Sequence, residues 1–342
     1  MVESFVGSLT AGEAMPPKSG FIAGERIRMH YLEWDPAQTS RGAIHSAQLQ
    51  DNDELPLVLL HSLGTSADSW RLVGRYLGQR HPVIAFDLRG HGRSDKPDDG
   101  YDLKTVAEDV VQGMAAIGLG QVALVGHGWG AKVALMLAVL HPALVSHLVL
   151  VDCPFVEPRH WPGMTRERFV RETAPPEMFI SRAAFLHAMQ QEMADFWSPE
   201  VEAIVLATVQ EQPDGSMQAL LRPESQRLIH IALWEDHALA YYSKVTCPVL
   251  LIPAAEQPLP GGQPPEKLER QEEFAIAKGY MAAQVARMLH HCSVLWMPDT
   301  AHDIQLHRPL HLSAAIVSFV SGQSWVAFSD SLQYLYTLFR YS

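Results

Sequence analysis

The sequence predicts an α/β fold: a mainly parallel sheet with helices on both faces, plus a helical cap inserted between its strands. Three observations predict it. Short continuous apolar runs, among them Leu55–His61, His81–Leu88 and Val145–Val151, have the composition of parallel strands covered on both sides. Amphipathic helical patterns separate them, the alternation that builds a doubly covered sheet. The stretch Val122–Leu135, VALVGHGWGAKVAL, reads as strand, sharp turn and helix in direct succession.

Taken in order, residues 1–20 are small, polar and proline-containing and read as a loose N-terminal tail. Gly24–Trp34 partly alternates and predicts a first strand, whereas Asp35–Glu54 has no periodicity and reads as an enlarged surface loop. The strand Leu55–His61 leads through Ser62-Leu63-Gly64 to a helix carrying Trp70, Leu72, Val73 and Leu77. The strand His81–Leu88 enters a glycine-rich turn, Arg89 to Pro97. A helix then spans Leu103–Ile117, with Val106, Val110, Met114 and Ile117 on one face. After the strand–turn–helix unit, Val145–Val151 ends at Asp152. Residues 154–243 show no convincing buried strand and are rich in Met and aromatics at helical spacing, notably in Ser181–Phe196. They predict a helical cap whose side chains pack between helices and in part line a pocket. The parallel pattern resumes at Val245–Pro253. A Pro/Gly-rich loop, a helix over about Glu266–His290, a last strand Cys292–Met297, a loop at 298–303 and a closing helix Pro309–Val320 follow. The expected organisation is a tail at 1–20, a core at 21–153 and 244–320, a cap at 154–243 and a C-terminal extension at 321–342. An aromatic cluster in that extension, including Trp325, Phe328, Tyr334 and Tyr336, packs on the domain or on a second subunit, so a homo-oligomer stays open.

Bulk properties narrow the partners. The 342 residues are 47% hydrophobic and carry a formal net charge of −12 without a Lys/Arg stripe. That argues against nucleic acid and anionic membrane and leaves a small molecule as the expected partner. Val122–Val151 is apolar but broken by His, Gly and Pro, so it is not a membrane span. Three scattered cysteines, Cys153, Cys247 and Cys292, read as buried thiols. With no segment of signal-peptide character, a cytoplasmic protein is expected. No histidines fall at metal-ligand spacing and no phosphate-cradling loop is visible, so no metal or cofactor is expected.

The motifs LVLLHSLGTSADSW, VIAFDLRGHGRSDKP, VGHGWGAKVALMLAVLHP, LVLVD, CPVLLIP and MPDTAHDIQLHRP occur in one order. Together they resemble the α/β-hydrolase superfamily over roughly residues 21–320. The resemblance implies a nucleophile elbow, G-x-Nu-x-G, at Gly126-His127-Gly128-Trp129-Gly130. Its middle position is Gly128, which has no side chain and leaves the nucleophile position vacant. The resemblance makes His302 the candidate general base and His307 a surface residue. It points to Glu256 as first candidate for the orienting acid and Asp152 as second. It assigns the backbone N–H groups of Leu63 and Trp129 to an oxyanion hole. His61 and the turn Arg89–Ser94 read as scaffolding. Trp129, Trp161 and Phe155 are the candidate substrate contacts. Ser62, Ser66, Ser69 and Cys153 are conceivable substitute nucleophiles, although their spacing matches no elbow.

Three functions compete at this point. One is an enzyme in which His302 activates water or substrate with no covalent nucleophile at Gly128. Another is an inactive member that binds a small apolar ligand or a partner. The third is an ordinary serine- or aspartate-nucleophile hydrolase with an altered elbow. Trp129 after the nucleophile position is common in the dehalogenase and epoxide-hydrolase branches. Against the latter, the loop His61-Ser62-Leu63-Gly64 lacks the H-G-x-P proline, and the cap tyrosines are the adjacent pair Tyr241-Tyr242.

Overall fold

A computed structural model describes residues 16–35, 55–172, 178–258, 261–268, 270–322 and 338–341. The strands are β1 (Lys18–Ala23), β2 (Arg28–Trp34), β3 (Leu57–Leu60), β4 (Val83–Phe86), β5 (Val122–His127), β6 (Val145–Val151), β7 (Met178–Phe179), β8 (Val209–Glu211), β9 (Met217–Ala219), β10 (Val249–Ile252), β11 (Cys292–Leu295) and β12 (Leu338–Tyr341). The helices are α1 (Arg71–Leu77), α2 (Leu103–Ala116), α3 (Trp129–Leu140), α4 (Arg166–Glu172), α5 (Arg182–Glu192), α6 (Pro199–Leu206), α7 (Pro223–Glu235), α8 (Leu239–Tyr242), α9 (Gln271–Ala286), α10 (Ile304–His307) and α11 (Pro309–Val320).

Among the described residues the main sheet has nine strands in the order β1-β2-β4-β3-β5-β6-β10-β11-β12. The run from β4 to β11 is parallel; β1, β2 and β12 are antiparallel to their neighbours. Every residue of β3, β4, β5 and β10 is buried, as strands covered on both faces must be. Their alternation sorts side chains into two cores. Val58, Leu60, Val122 and Leu124 join the layer of α2 and α3. Leu57, Leu59, Ala123 and Val125 join the layer of α1 and α11.

Some expectations change. Residues 18–20 are not loose tail: they open β1, which pairs along its whole length with β2. Only Ile22 of that strand is buried, so its ladder rests on backbone hydrogen bonds that no apolar pattern marks. The expected loop falls at 36–54 and most of the aromatic cluster at 323–337, outside the described residues; 338–341 form β12 against β11. The insertion 154–243 is mainly helical but also holds a small antiparallel sheet, β7-β9-β8. Its strands are two or three residues long, too short to leave a periodicity. The helix expected from Glu266 begins at Gln271, where the Arg270 N–H donates to Glu273 Oε2 at 3.3 Å.

The turn between β5 and α3 is packed against β3. A Cβ on Gly126 would lie 2.4 Å from the Gly130 carbonyl oxygen, and one on Gly130 would lie 2.4 and 2.5 Å from the carbonyl oxygens of His61 and Leu60. These are backbone atoms that cannot swing aside, so the two glycines let the helix start directly against the neighbouring strand. Gly130→Ala is therefore expected to destabilise the fold by about 1–3 kcal/mol in denaturant unfolding. Gly120→Ala, where a Cβ meets open space, should stay within about 0.5 kcal/mol of wild type.

Candidate active site

Loops at the carboxyl ends of β3, β5, β6 and β11 converge on one cavity, where open parallel sheets bind ligands. At the β5 loop, Gly128 has φ 53° and ψ −116°. That conformation costs a side-chain-bearing residue on the order of 1–3 kcal/mol, and glycine adopts it freely. The Gly128 N–H donates to the Val151 carbonyl at 3.1 Å, tying the turn to β6. Trp129 is the first residue of α3, so its N–H has no acceptor inside the helix and carries the positive end of the helix dipole.

A buried polar cluster is built around Asp152, the residue after β6. It is buried and held at φ 36°. Its N–H donates to the Ile252 carbonyl at 2.8 Å, and its Oδ1 accepts from the Ala254 N–H at 2.9 Å. Its Oδ2 accepts from His302 Nδ1 at 2.6 Å. Lys278 Nζ, from α9, donates to both oxygens at 3.0 and 2.8 Å. Burial alone would raise the carboxyl pKa; the Lys278 ammonium and the His302 hydrogen bond outweigh it and hold Asp152 down at about 2. For His302, burial disfavours the imidazolium, but the hydrogen bond and negative charge of Asp152 prevail and raise its pKa above the ordinary value. With Nδ1 donating to Asp152, Nε2 is the free basic atom. It points toward the elbow, 3.5 Å from where a Cβ on Gly128 would stand.

The loop carrying His302 is fastened from below. His127 Nε2–H donates to the His302 carbonyl at 3.0 Å, and the two rings lie 4.5 Å apart. Burial, then the neighbouring His302, lowers the His127 pKa to about 4, which keeps it a neutral donor. His307 is half-buried, not a free surface residue: its Nδ1 accepts from the Ala301 N–H at 3.0 Å and its ring stacks on Phe196.

The cavity measures about 280 Å³. Ser62, Gly128, Asp152 and His302 line its floor, and Leu63, Trp129, Phe155 and Trp161 are among its walls. All three residues expected to contact a substrate thus face it, as do both residues expected to supply oxyanion-hole amides. Glu256 does not. It is exposed and absent from the cavity, because the chain after β10 spends Ala254 on Asp152 and carries Glu256 out to the surface. Of the two acid candidates, the structure brings Asp152, and not Glu256, to His302. Of the conceivable substitute nucleophiles, Ser66 accepts from the Asp68 N–H and Ser69 donates to the Ser66 carbonyl. Cys153 faces the cavity, but burial pushes its thiol up to about 12. Ser62 faces the cavity directly beside Gly128.

Sequence reasoning missed Lys278. A single lysine in a long helix carries no signal by itself, but Phe274, Lys278 and Met281 stand at i, i+4 and i+7, and all three line the cavity. Among the described residues, no group of three His, Cys, Asp or Glu side chains is placed to hold a metal ion. No described helix is long and apolar enough to cross a membrane.

Comparison with known proteins agrees with this fold. Residues 56–175 match the family model described as alpha/beta hydrolase fold. The solved E-2-(acetamidomethylene)succinate hydrolase superposes with a TM-score of 0.68 at 21% identity, over 89% of this chain and 99% of the other. The molecule has the α/β-hydrolase fold. A soluble epoxide hydrolase of a Corynebacterium species is 42% identical over 97 residues, 28% of this chain and 34% of that protein. The first curated relatives, this one included, are thus matched over only about a third of their own length. The 2-(acetamidomethylene)succinate hydrolase of Mesorhizobium japonicum is 26% identical over 273 residues, 78% of this chain and 88% of that protein.

The hydrogen bond between Asp152 and His302 has a direct signature. In an NMR titration, the His302 ring resonance, assigned by its loss in His302→Ala, should titrate above the usual 6.5. In Asp152→Asn the midpoint should move down, because the charge that favours the imidazolium is gone.

Proposed function

We propose that this chain is a hydrolase acting on a small, largely apolar carbonyl compound, with His302 as general base and Asp152 as the carboxylate that orients it. The observation that carries this reading is the 2.6 Å contact between Asp152 Oδ2 and His302 Nδ1, with Nε2 aimed at the elbow inside a mostly apolar cavity. In the reaction, Nε2 takes the proton of the attacking oxygen. Negative charge developing on the substrate carbonyl is received by the N–H groups of Trp129 and Leu63, one of them at the N-terminus of α3. Gly128 contributes no atom to the chemistry. Lys278 keeps Asp152 ionised, which in turn holds His302 in the productive tautomer.

The relatives' names support hydrolysis as the reaction class. Epoxide opening fits this cap less well. The buried Tyr242 hydroxyl donates to the Phe155 carbonyl at 2.6 Å, and neither it nor Tyr241 lines the cavity, so among the described residues no tyrosine is placed to protonate an epoxide oxygen. The cavity volume suits a molecule of modest size. The three free cysteines, two of them buried, suit a reducing compartment and hence the cytoplasm. The competing reading, a ligand-binding member without turnover, draws on one observation: the elbow has no side chain.

Hydrolysis of p-nitrophenyl acetate and butyrate separates the two. His302→Ala should lower kcat/KM by about 10²–10⁴-fold, while Glu256→Gln leaves it unchanged. The acid limb of the wild-type pH profile should fall above 6.5, since the imidazole must be neutral to act and its pKa is raised; Asp152→Asn should shift that limb to lower pH and reduce the rate. Tight binding of the esters with no His302-dependent turnover at any pH would establish the binding reading instead.

A further inference from the structure

Gly128 leaves a nucleophile's side chain missing, but not its place empty. A Cβ built on Gly128 would lie 2.1 Å from Ser62 Oγ, 2.9 Å from Ser62 Cβ and 3.5 Å from His302 Nε2. The Ser62 hydroxyl therefore occupies the volume in front of the imidazole that an elbow side chain would fill. We propose that Ser62, on the loop after β3, is the nucleophile of this site, reaching across to the place the elbow leaves free. The proposal rests on His302 being the base, as read above.

The surroundings are those of an attacking group. Ser62 is nearly buried, with 7% of its surface exposed, and that surface faces the cavity. Its backbone is pinned: the Ser62 carbonyl accepts from His61 Nδ1 at 2.8 Å, from Thr65 Oγ1 at 2.9 Å and from the Thr65 N–H at 3.3 Å. His61 is fixed in turn, its Nε2 accepting from the Leu88 N–H at 2.9 Å. A hydroxyl on so rigid a turn keeps its aim, which is what nucleophilic catalysis needs. The expected oxyanion donors flank it: Leu63 follows Ser62 directly, and Trp129 follows Gly128. The glycine also gains a reason. Any side chain at 128 would compete with the serine for the same space, in a conformation already unfavourable for it. Cys153, a thiol that also lines the cavity, is buried and stays protonated.

Ester hydrolysis at this site proceeds through an acyl-serine. His302 Nε2 accepts the Ser62 hydroxyl proton as Oγ bonds to the carbonyl carbon, and the carbonyl π pair moves to its oxygen, between the Leu63 and Trp129 N–H groups. The pair returns, the bond to the alkoxy oxygen breaks, and the imidazolium gives that oxygen its proton, releasing the alcohol. Water, deprotonated by His302, then attacks acyl-Ser62 through the same oxyanion. The carboxylic acid leaves and Ser62 recovers its proton.

The test uses the full chain and an alkyl fluorophosphonate, which phosphonylates an activated serine with loss of fluoride, followed by peptide mass mapping. Wild type should carry the label on Ser62. His302→Ala should lose it, and Ser62→Ala, which removes only the hydroxyl, should lose both the label and more than about 10² in kcat/KM on p-nitrophenyl butyrate. Thermal melts show whether the variants fold. As a second reading, Ser62→Cys should be alkylated by iodoacetamide faster than Cys153, and His302→Ala in that background should slow the reaction. A label on another residue, or none while Ser62→Ala keeps its His302-dependent hydrolysis, overturns the nucleophile and leaves the base intact. If no ester is turned over yet Ser62 is labelled, Ser62 stands and the proposed substrate class falls. If Ser62 is not labelled and Ser62→Cys brings no alkylation faster than that of Cys153, Ser62 is not the nucleophile.

Discussion

One buried carboxylate organises the working half of this molecule. Asp152 ends β6 and gathers a helix, a strand end and a loop: Lys278 from α9, the Ala254 N–H after β10 and His302 from the loop after β11. An ionised carboxylate cut off from water is costly unless paired and hydrogen-bonded. Here the Lys278 ammonium, the Ala254 N–H and His302 Nδ1 answer it, so the charge is kept. Removing either Lys278 or His302 would leave part of that charge unanswered, so the elements that carry them are tied to the end of β6. The strained backbone at Asp152 fits the same logic, since it aims the carboxylate between its partners.

A second buried carboxylate plays a matching part behind the segment that follows β3. Asp87, after β4, accepts from the Ala67 and Arg93 N–H groups and from His30 Nδ1. Arg89 forms a bidentate pair with Asp109. His91 stacks on the ring of Trp129, with centroids 5.1 Å apart, and meets the ring of His61 at a tilt of 60°, 5.0 Å away. Its pKa is lowered to about 3 by burial first and by His61 second, so the stack stays neutral. The Arg89–Ser94 turn is thus the buttress behind the loop that carries Ser62 and Leu63.

The α/β architecture was legible because its signals are local and strong. β3, β4 and β5 are buried on both faces and so read as unbroken apolar runs, and α11 begins and ends at the expected Pro309 and Val320. What was illegible lacked a side-chain pattern. β1 is an exposed edge held by backbone pairing, and β7, β8 and β9 are shorter than any period that could reveal them. The candidate base, His302, was legible from its loop. Its carboxylate partner was not, because Glu256 and Asp152 both follow strands that point toward the same sheet edge, and chain position cannot say which carboxylate turns inward.

The order of strands and turns along the chain, the absence of a side chain at Gly128 and the presence of His302 in the loop after β11 were determined by the sequence itself. They depend on residue identity and on periodicity over a few positions. Tertiary structure alone decided that Asp152 rather than Glu256 meets His302, that Lys278 joins them, and that the Ser62 hydroxyl stands where an elbow side chain would. These are distances of a few ångströms between residues far apart in the chain, 126 positions for Lys278 and Asp152 and 150 for Asp152 and His302. Such distances are set by how strands and helices pack, and neither spacing nor composition records them.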